Sequence, residues 1–182
     1  MKMKRSISIV LMLLVCMNLL AEEGSTQVRI GLFSDLSVID TLWTDHWYLH
    51  GGIRLGFEDS LVLELPLTFV SGVDGHQLLD TGLLCKYYPF DSRFWLGATL
   101  FQGITLLGDE RPNDWYLYLQ EFSSGYTIPI TEGLYLEPSI NLRDPNGIFH
   151  DSLSSVSEYL PGYSRLRFCL NLGWRGVSLT LR

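Results

Sequence analysis

Three places in the chain set a histidine close to a carboxylate: Asp45-His46, Asp74 with His76, and His150-Asp151-Ser152. An imidazole oriented by a carboxylate can take the proton of a serine hydroxyl, so the last run carries the residue types of acyl transfer or hydrolysis. No nucleophile motif surrounds any of the three, and polar connections collect Asp, Ser and His for solvation alone. The reading is therefore that the chain is not an enzyme. Of the cysteines, Cys85 and Cys169 lie far apart on different predicted strands, with Cys85 turned outward and Cys169 inward, which argues against a disulfide. No Cys/His spacing suits zinc, and no glycine-rich phosphate loop precedes a helix. Neither metal nor cofactor is expected.

The remaining charged residues follow a period of two. In ITEGLYLEPSINLRD, residues 130–144, Leu134, Leu136, Pro138, Ile140 and Leu142 share one parity, and Tyr135, Glu137, Ser139, Asn141 and Arg143 share the other. In a strand those sets point to opposite faces. The same alternation sets Arg54 among small residues, Glu64 between leucines, and Asp80 and Lys86 opposite Leu79, Leu83 and Tyr87. Arg54, Glu64, Asp80, Lys86, Glu137 and Arg143 thus form one candidate charge network, with Arg29, His50 and Arg167 on the same side. A water-soluble sheet would bury the leucines. A membrane barrel would turn them to lipid and enclose the charges.

Eight strands are predicted, over 26–35, 46–57, 61–70, 77–88, 93–106, 115–129, 133–143 and 164–181. Pro66 and Pro138 lack a ladder donor, so each is expected to interrupt pairing locally. The apolar parity of the last strand switches between Trp174 and Val177, which predicts a bulge at Arg175-Gly176. Connections alternate in length. Glu58-Asp59-Ser60, Pro89 to Ser92 and Ile130 to Glu132 are tight, whereas 36–45, 71–76, 107–114 and 144–163 are mostly longer and polar. Aromatic residues crowd both ends: Phe57, Tyr87, Tyr88, Phe90, Phe94, Trp95 and Tyr126 at the tight turns, and Trp43, Trp47, Phe69, Trp115 and Tyr116 at the long loops. Short turns at one end, long loops at the other and two aromatic girdles are the pattern of an outer-membrane barrel.

The N-terminus fits that destination. Lys2, Lys4 and Arg5 precede an apolar run from Ile7 to Leu20, and Ala21 offers a cleavage point, so residues 1–21 are predicted to be a signal peptide and 22–182 the barrel domain. Val15 is a poor neighbour for a lipidated Cys16, which favours simple export across a bacterial inner membrane. Cleavage removes three cations and no acid, moving the formal charge from −7 to −10. That balance argues against nucleic acid as a partner.

On its parity, on GLYLEPSINL and on the closing RLRFCLNLGWRGVSLTLR, the chain resembles the small eight-stranded outer-membrane β-barrels, the group of OmpX-like, OmpA-type and OmpW-like proteins. The resemblance implies an all-β fold, an eight-stranded antiparallel up-and-down transmembrane barrel, with outer-membrane lipid and the assembly machinery as partners. The C-terminus ends Leu179-Thr180-Leu181-Arg182, where the group typically ends in an aromatic residue. Eight strands enclose little more than side chains, so a structural or surface-interaction barrel is expected. A narrow channel for small or hydrophobic solutes is the second reading, and a lipid A-modifying enzyme a third. The long loops hold Asp109, Glu110, Asp114, Asp151 and Glu158, acids able to meet divalent cations or a basic extracellular or host partner.

Overall fold

In a computed structural model the chain is described over residues 26–37, 39, 47–57, 60–71, 77–107, 117–118, 121–145, 147 and 165–181. The predicted signal peptide lies outside them. Alternating, β-branched and aromatic-rich runs form long strands: β1 Thr26–Asp35, β2 Trp47–Phe57, β3 Leu61–Ser71, β4 Gln77–Tyr87 and β5 Phe94–Leu107. Three short pieces follow, β6 Leu117–Tyr118, β7 Glu121–Tyr126 and β8 Ile128–Pro129, and then β9 Leu134–Arg143 and β10 Leu166–Leu181.

Strands β1 to β5 pair antiparallel in sequence order, β7 bridges β5 and β9, and β10 pairs with both β9 and β1, so the sheet has no free end. Pieces β6, β7 and β8 share one path between β5 and β9, which makes the structure a closed barrel of eight staves. Closure removes the unpaired edges that an open sheet would present. Up-and-down order follows from the tight turns, which join only neighbours. The turn after β4 is a single turn of 3-10 helix, Pro89–Asp91, in which Phe90 takes a left-handed φ of 57°.

The interior and exterior are inverted relative to a water-soluble domain. Glu64, Lys86, Glu137 and Arg143 are buried, while Leu65, Leu67, Leu96, Ile140 and Phe168 are exposed on the outside. Both prolines interrupt pairing on one side. The β3–β4 register passes from Glu64↔Leu84 to Leu67↔Thr81 across Pro66. On β9, pairing with β7 ends at Ser139 and pairing with β8 begins at Leu136, either side of Pro138.

Two bulges set which residues face inward. On β10 the register with β1 shifts between Ile30 and Leu32, opposite Arg175-Gly176, and Gly176 has a φ of 64°. A Cβ there would stand 1.6 Å from the Ile30 carbonyl oxygen, so only glycine fits. The extra residue leaves Val177 and Leu179 outside, like Leu172 and Trp174 before it. On β5 the register jumps from Phe101 to Thr99, leaving Leu100 as the extra residue. Trp95 is inward before this point and Gln102 after it, although they lie on opposite parities.

That shift corrects one expectation. Trp95, read as part of the girdle at the tight turns, is 1% exposed inside the barrel. Tyr88 also points inward, where its hydroxyl joins the interior hydrogen bonds. Tyr87, Phe90, Phe94 and Tyr126 are exposed at that end, and Trp47 at the other. Trp43, Trp115 and Tyr116 lie outside the described residues.

Candidate functional site

The bore is organised in layers. Nearest the tight turns, Arg54 on β2, Glu64 on β3, Lys86 on β4 and Glu137 on β9 form a ring of alternating charge. Arg54 Nε meets Glu64 Oε1 at 2.9 Å and its Nη2 meets Glu137 Oε1 at 2.8 Å. Lys86 Nζ lies 2.8 Å from Glu64 Oε1 and 2.5 Å from Glu137 Oε2. Two cations against two anions leave the ring neutral. Each ion is taken out of water, a cost that such multiple charge-assisted hydrogen bonds must offset.

Aromatic and hydroxyl groups complete the layer. Thr127 and Tyr88 donate to Glu137 Oε1 at 2.8 and 3.1 Å. Lys86 Nζ sits 4.0 Å from the centre of the Trp95 ring, and the Arg54 guanidinium 4.7 Å from that of Tyr135. Tyr135 fits because its register partner is Gly173, whose added Cβ would lie 1.9 Å from the phenol ring.

Above the ring, His50 Nδ1 shares a 2.7 Å hydrogen bond with Thr68 Oγ1, and the Gln102 amide donates to both Asp80 carboxylate oxygens at 3.1 and 3.0 Å. Nearer the long loops Arg143 Nε meets Glu121 Oε2 at 3.0 Å, and Arg167 Nη2 meets Asp35 Oδ2 at 2.6 Å. The Arg167 guanidinium also stacks 4.2 Å from the Tyr48 ring centre.

All six residues of the expected charge network are buried inside the barrel. Four of them meet. Asp80 and Arg143 have other partners, because six residues of strand separate Lys86 from Asp80 and Glu137 from Arg143, about 20 Å at ~3.3 Å per residue. Glu121 and Asp35 were missed as partners. Glu121 is the direct register partner of Arg143, and its inward parity with Ser123 was readable once the strand was continued through residue 121. The acids Asp109, Glu110, Asp114, Asp151 and Glu158, and the histidines His46, His76 and His150, lie outside the described residues.

Neither Cys85 nor Cys169 forms a disulfide, and their strands do not pair. Cys85 keeps the outward parity of Leu63, its register partner, yet is only 8% exposed. A short side chain between taller neighbours does not reach the outer surface. Among the described residues no group of three or more His, Cys, Asp or Glu is placed to hold a metal ion.

Two cavities in the bore are lined by described residues that bear on the site. One of about 40 Å³, room for about one water, lies among His50, Asp80, Gln102, Asn141 and Asn171. The other, of about 210 Å³, opens at the tight-turn end and is lined by Arg29, Arg54, Tyr88, Arg93, Thr127 and Arg175, among others. Glu64 and Lys86 line the first and Arg54 the second, and no residue lines both. The charged ring stands between them.

Fold and interior together define a closed eight-stranded antiparallel β-barrel with an ion-paired core and an apolar outer surface. No protein-family model matches the chain, and no curated protein matches it significantly. Among solved structures it is similar to the solution NMR structure of the de novo designed TMB2.3, at 8% identity and a TM-score of 0.41, over 85% of this chain and 97% of that one. The barrel assignment rests on the strand pairing itself.

Proposed function

We propose that the chain is a bacterial outer-membrane β-barrel, exported by a signal peptide at residues 1–21, whose plugged bore makes it a rigid support for acidic extracellular loops. The observation that carries this reading is the inversion of the barrel: exposed leucines and phenylalanines surround a layer of buried ion pairs. Hydrocarbon outside favours the first, and a closed ladder presents no free sheet edge to it. In this orientation the tight turns face the periplasm and the loops carrying Asp109, Glu110, Asp114, Asp151 and Glu158 face outward. Outer-membrane lipid and the assembly machinery are then its partners, with an extracellular ligand or host surface of basic character as the loops' target. The reading assigns it no catalytic role.

A narrow channel is the second reading, favoured by the cavities on either side of the ring. The ring's four ion pairs separate them, so the plug is the better account. Membrane fractionation tests the first part: the protein should require detergent for release and migrate differently on gels with and without heating. Recovery as a soluble periplasmic protein would sink the reading. Planar-bilayer recording tests the plug, since a large steady conductance from the refolded parent protein favours the channel.

A further inference from the structure

The layer above the charged ring carries hydrogen-bonding capacity that the protein itself does not use. The Gln102 amide nitrogen donates to both oxygens of the Asp80 carboxylate, at 3.1 and 3.0 Å. An ionised carboxylate only accepts, so the amide cannot flip and Oε1 faces away from Asp80. That oxygen is buried, on a residue 5% exposed, and has no hydrogen-bond partner among the described residues. Asn141 repeats the pattern: its Nδ2 turns to Cys169 Sγ at 3.5 Å, and its Oδ1 is buried without such a partner. Both residues line the cavity of about 40 Å³.

Gln102 stands on β5 and Asn141 on β9, and each of those strands pairs with β7 rather than with the other. The two side chains therefore enter the bore from separate walls. Burying an acceptor forfeits the hydrogen bond it made to water unless a new donor meets it. That donor has to be small, because the volume has room for about one water. A metal ion is a poor match: two neutral amide oxygens fall short of the roughly six that a hard divalent cation gathers. Both Asp80 oxygens already face an amide N–H group that such an ion would have to displace. An anion would meet only lone pairs at the two amide oxygens. Water brings two hydrogens to two acceptors. Asn171 Oδ1 is a third buried acceptor without a partner among the described residues. Register sets Asn171 opposite Glu137 and Asn141 opposite Arg167, so four residues of strand, about 13 Å at ~3.3 Å per residue, put Asn171 beyond reach of the same water.

We propose that this cavity is the site of a buried, slowly exchanging water that donates one hydrogen to Gln102 Oε1 and the other to Asn141 Oδ1. The water braces β5 to β9 across the bore and joins the Asp80–Gln102 pair to the β9 wall.

The test uses the full-length mature barrel refolded in dodecyl maltoside, with the Gln and Asn side-chain amides isotopically labelled for NMR. Magnetisation transfer from water to the Gln102 and Asn141 amide groups is read in paired NOESY and ROESY spectra, because dipolar transfer and chemical exchange differ in sign in the rotating frame. Dipolar cross-peaks to both groups are expected, with the sign of a water that tumbles with the protein. Asn141→Leu removes one acceptor and fills the space, so the Gln102 cross-peak should weaken about fivefold or more. Asn171→Leu should leave that peak as in the parent. Should Asn141→Leu not refold, the parent spectra alone decide, since a dry cavity gives no dipolar peak at either group. Exchanging sodium in the buffer for potassium and then for N-methylglucamine should leave the Gln102 and Asn141 signals unmoved. Absence of dipolar peaks in the parent, an undiminished Gln102 peak in Asn141→Leu, or signals that follow the buffer cation overturn the proposal, the last in favour of a bound ion.

Discussion

Removing the carboxylate of Glu137 probes the plug most directly. The side chain is fully buried and accepts from Arg54, Lys86, Thr127 and Tyr88. In Glu137→Ala, Arg54 and Lys86 are left with Glu64 as the ring's sole anion, so one positive charge is uncompensated inside the barrel. Breaking a buried pair in this way costs about 3–5 kcal/mol, against ~0–1 kcal/mol for a pair in water. The two hydroxyls add little to this, because Tyr88 and Thr127 already lie 3.1 Å apart and can pair with each other. At about 1.4 kcal/mol per decade, the folding equilibrium should move by two to four decades. The assay is urea unfolding in detergent or vesicles, followed by gel migration and by the fluorescence of Trp95, whose ring touches Lys86. Adding Lys86→Met removes the surplus charge and leaves the Arg54–Glu64 pair intact. The double variant should therefore be less destabilised than the sum of the singles by about 0.5–3 kcal/mol. A Glu137→Ala barrel as stable as its parent, or strictly additive singles, would refute the claim that the ring acts as one charge-balanced unit.

Other perturbations address the outer face and the bulges. Leu65→Arg, at an exposed mid-strand position, should cost about 2–4 kcal/mol in a bilayer while Leu134→Arg beside a tight turn costs ~0–1 kcal/mol; equal costs in refolding titrations would contradict a lipid-facing surface. Gly173→Ala drives a Cβ into the Tyr135 ring and should lower stability by about 1–3 kcal/mol, an effect that Tyr135→Leu largely removes if the contact is the cause. Deleting Gly176 erases the bulge that shifts the β1–β10 register and swaps the faces of Val177 and Leu179, so the barrel should fail to show heat-modifiable migration; normal closure would mean that the bulge does not set the register.

The sequence alone determined the parity of β2, β3, β4 and β9, the tight turns and the bulge at Arg175-Gly176, because each of these is local. Successive side chains alternate faces whatever the partners are, so Glu64, Lys86, Glu137 and Arg143 could be assigned to one side from their neighbours. A parity switch within an apolar run is likewise visible without a fold. Which inward residues meet was decided by tertiary structure. Arg54 reaches Glu137 across 83 residues of chain, a contact that exists only once β9 closes the ring through β10. Height along the barrel then separates Asp80 and Arg143 from that ring, and it depends on strand register rather than on side-chain type. Trp95 was misplaced for a related reason. The bulge at Leu100 switches the faces of β5 in a stretch, Phe94 to Leu107, where apolar residues occupy both parities, so only pairing with β4 and β7 settles that the indole fills the bore beside Lys86.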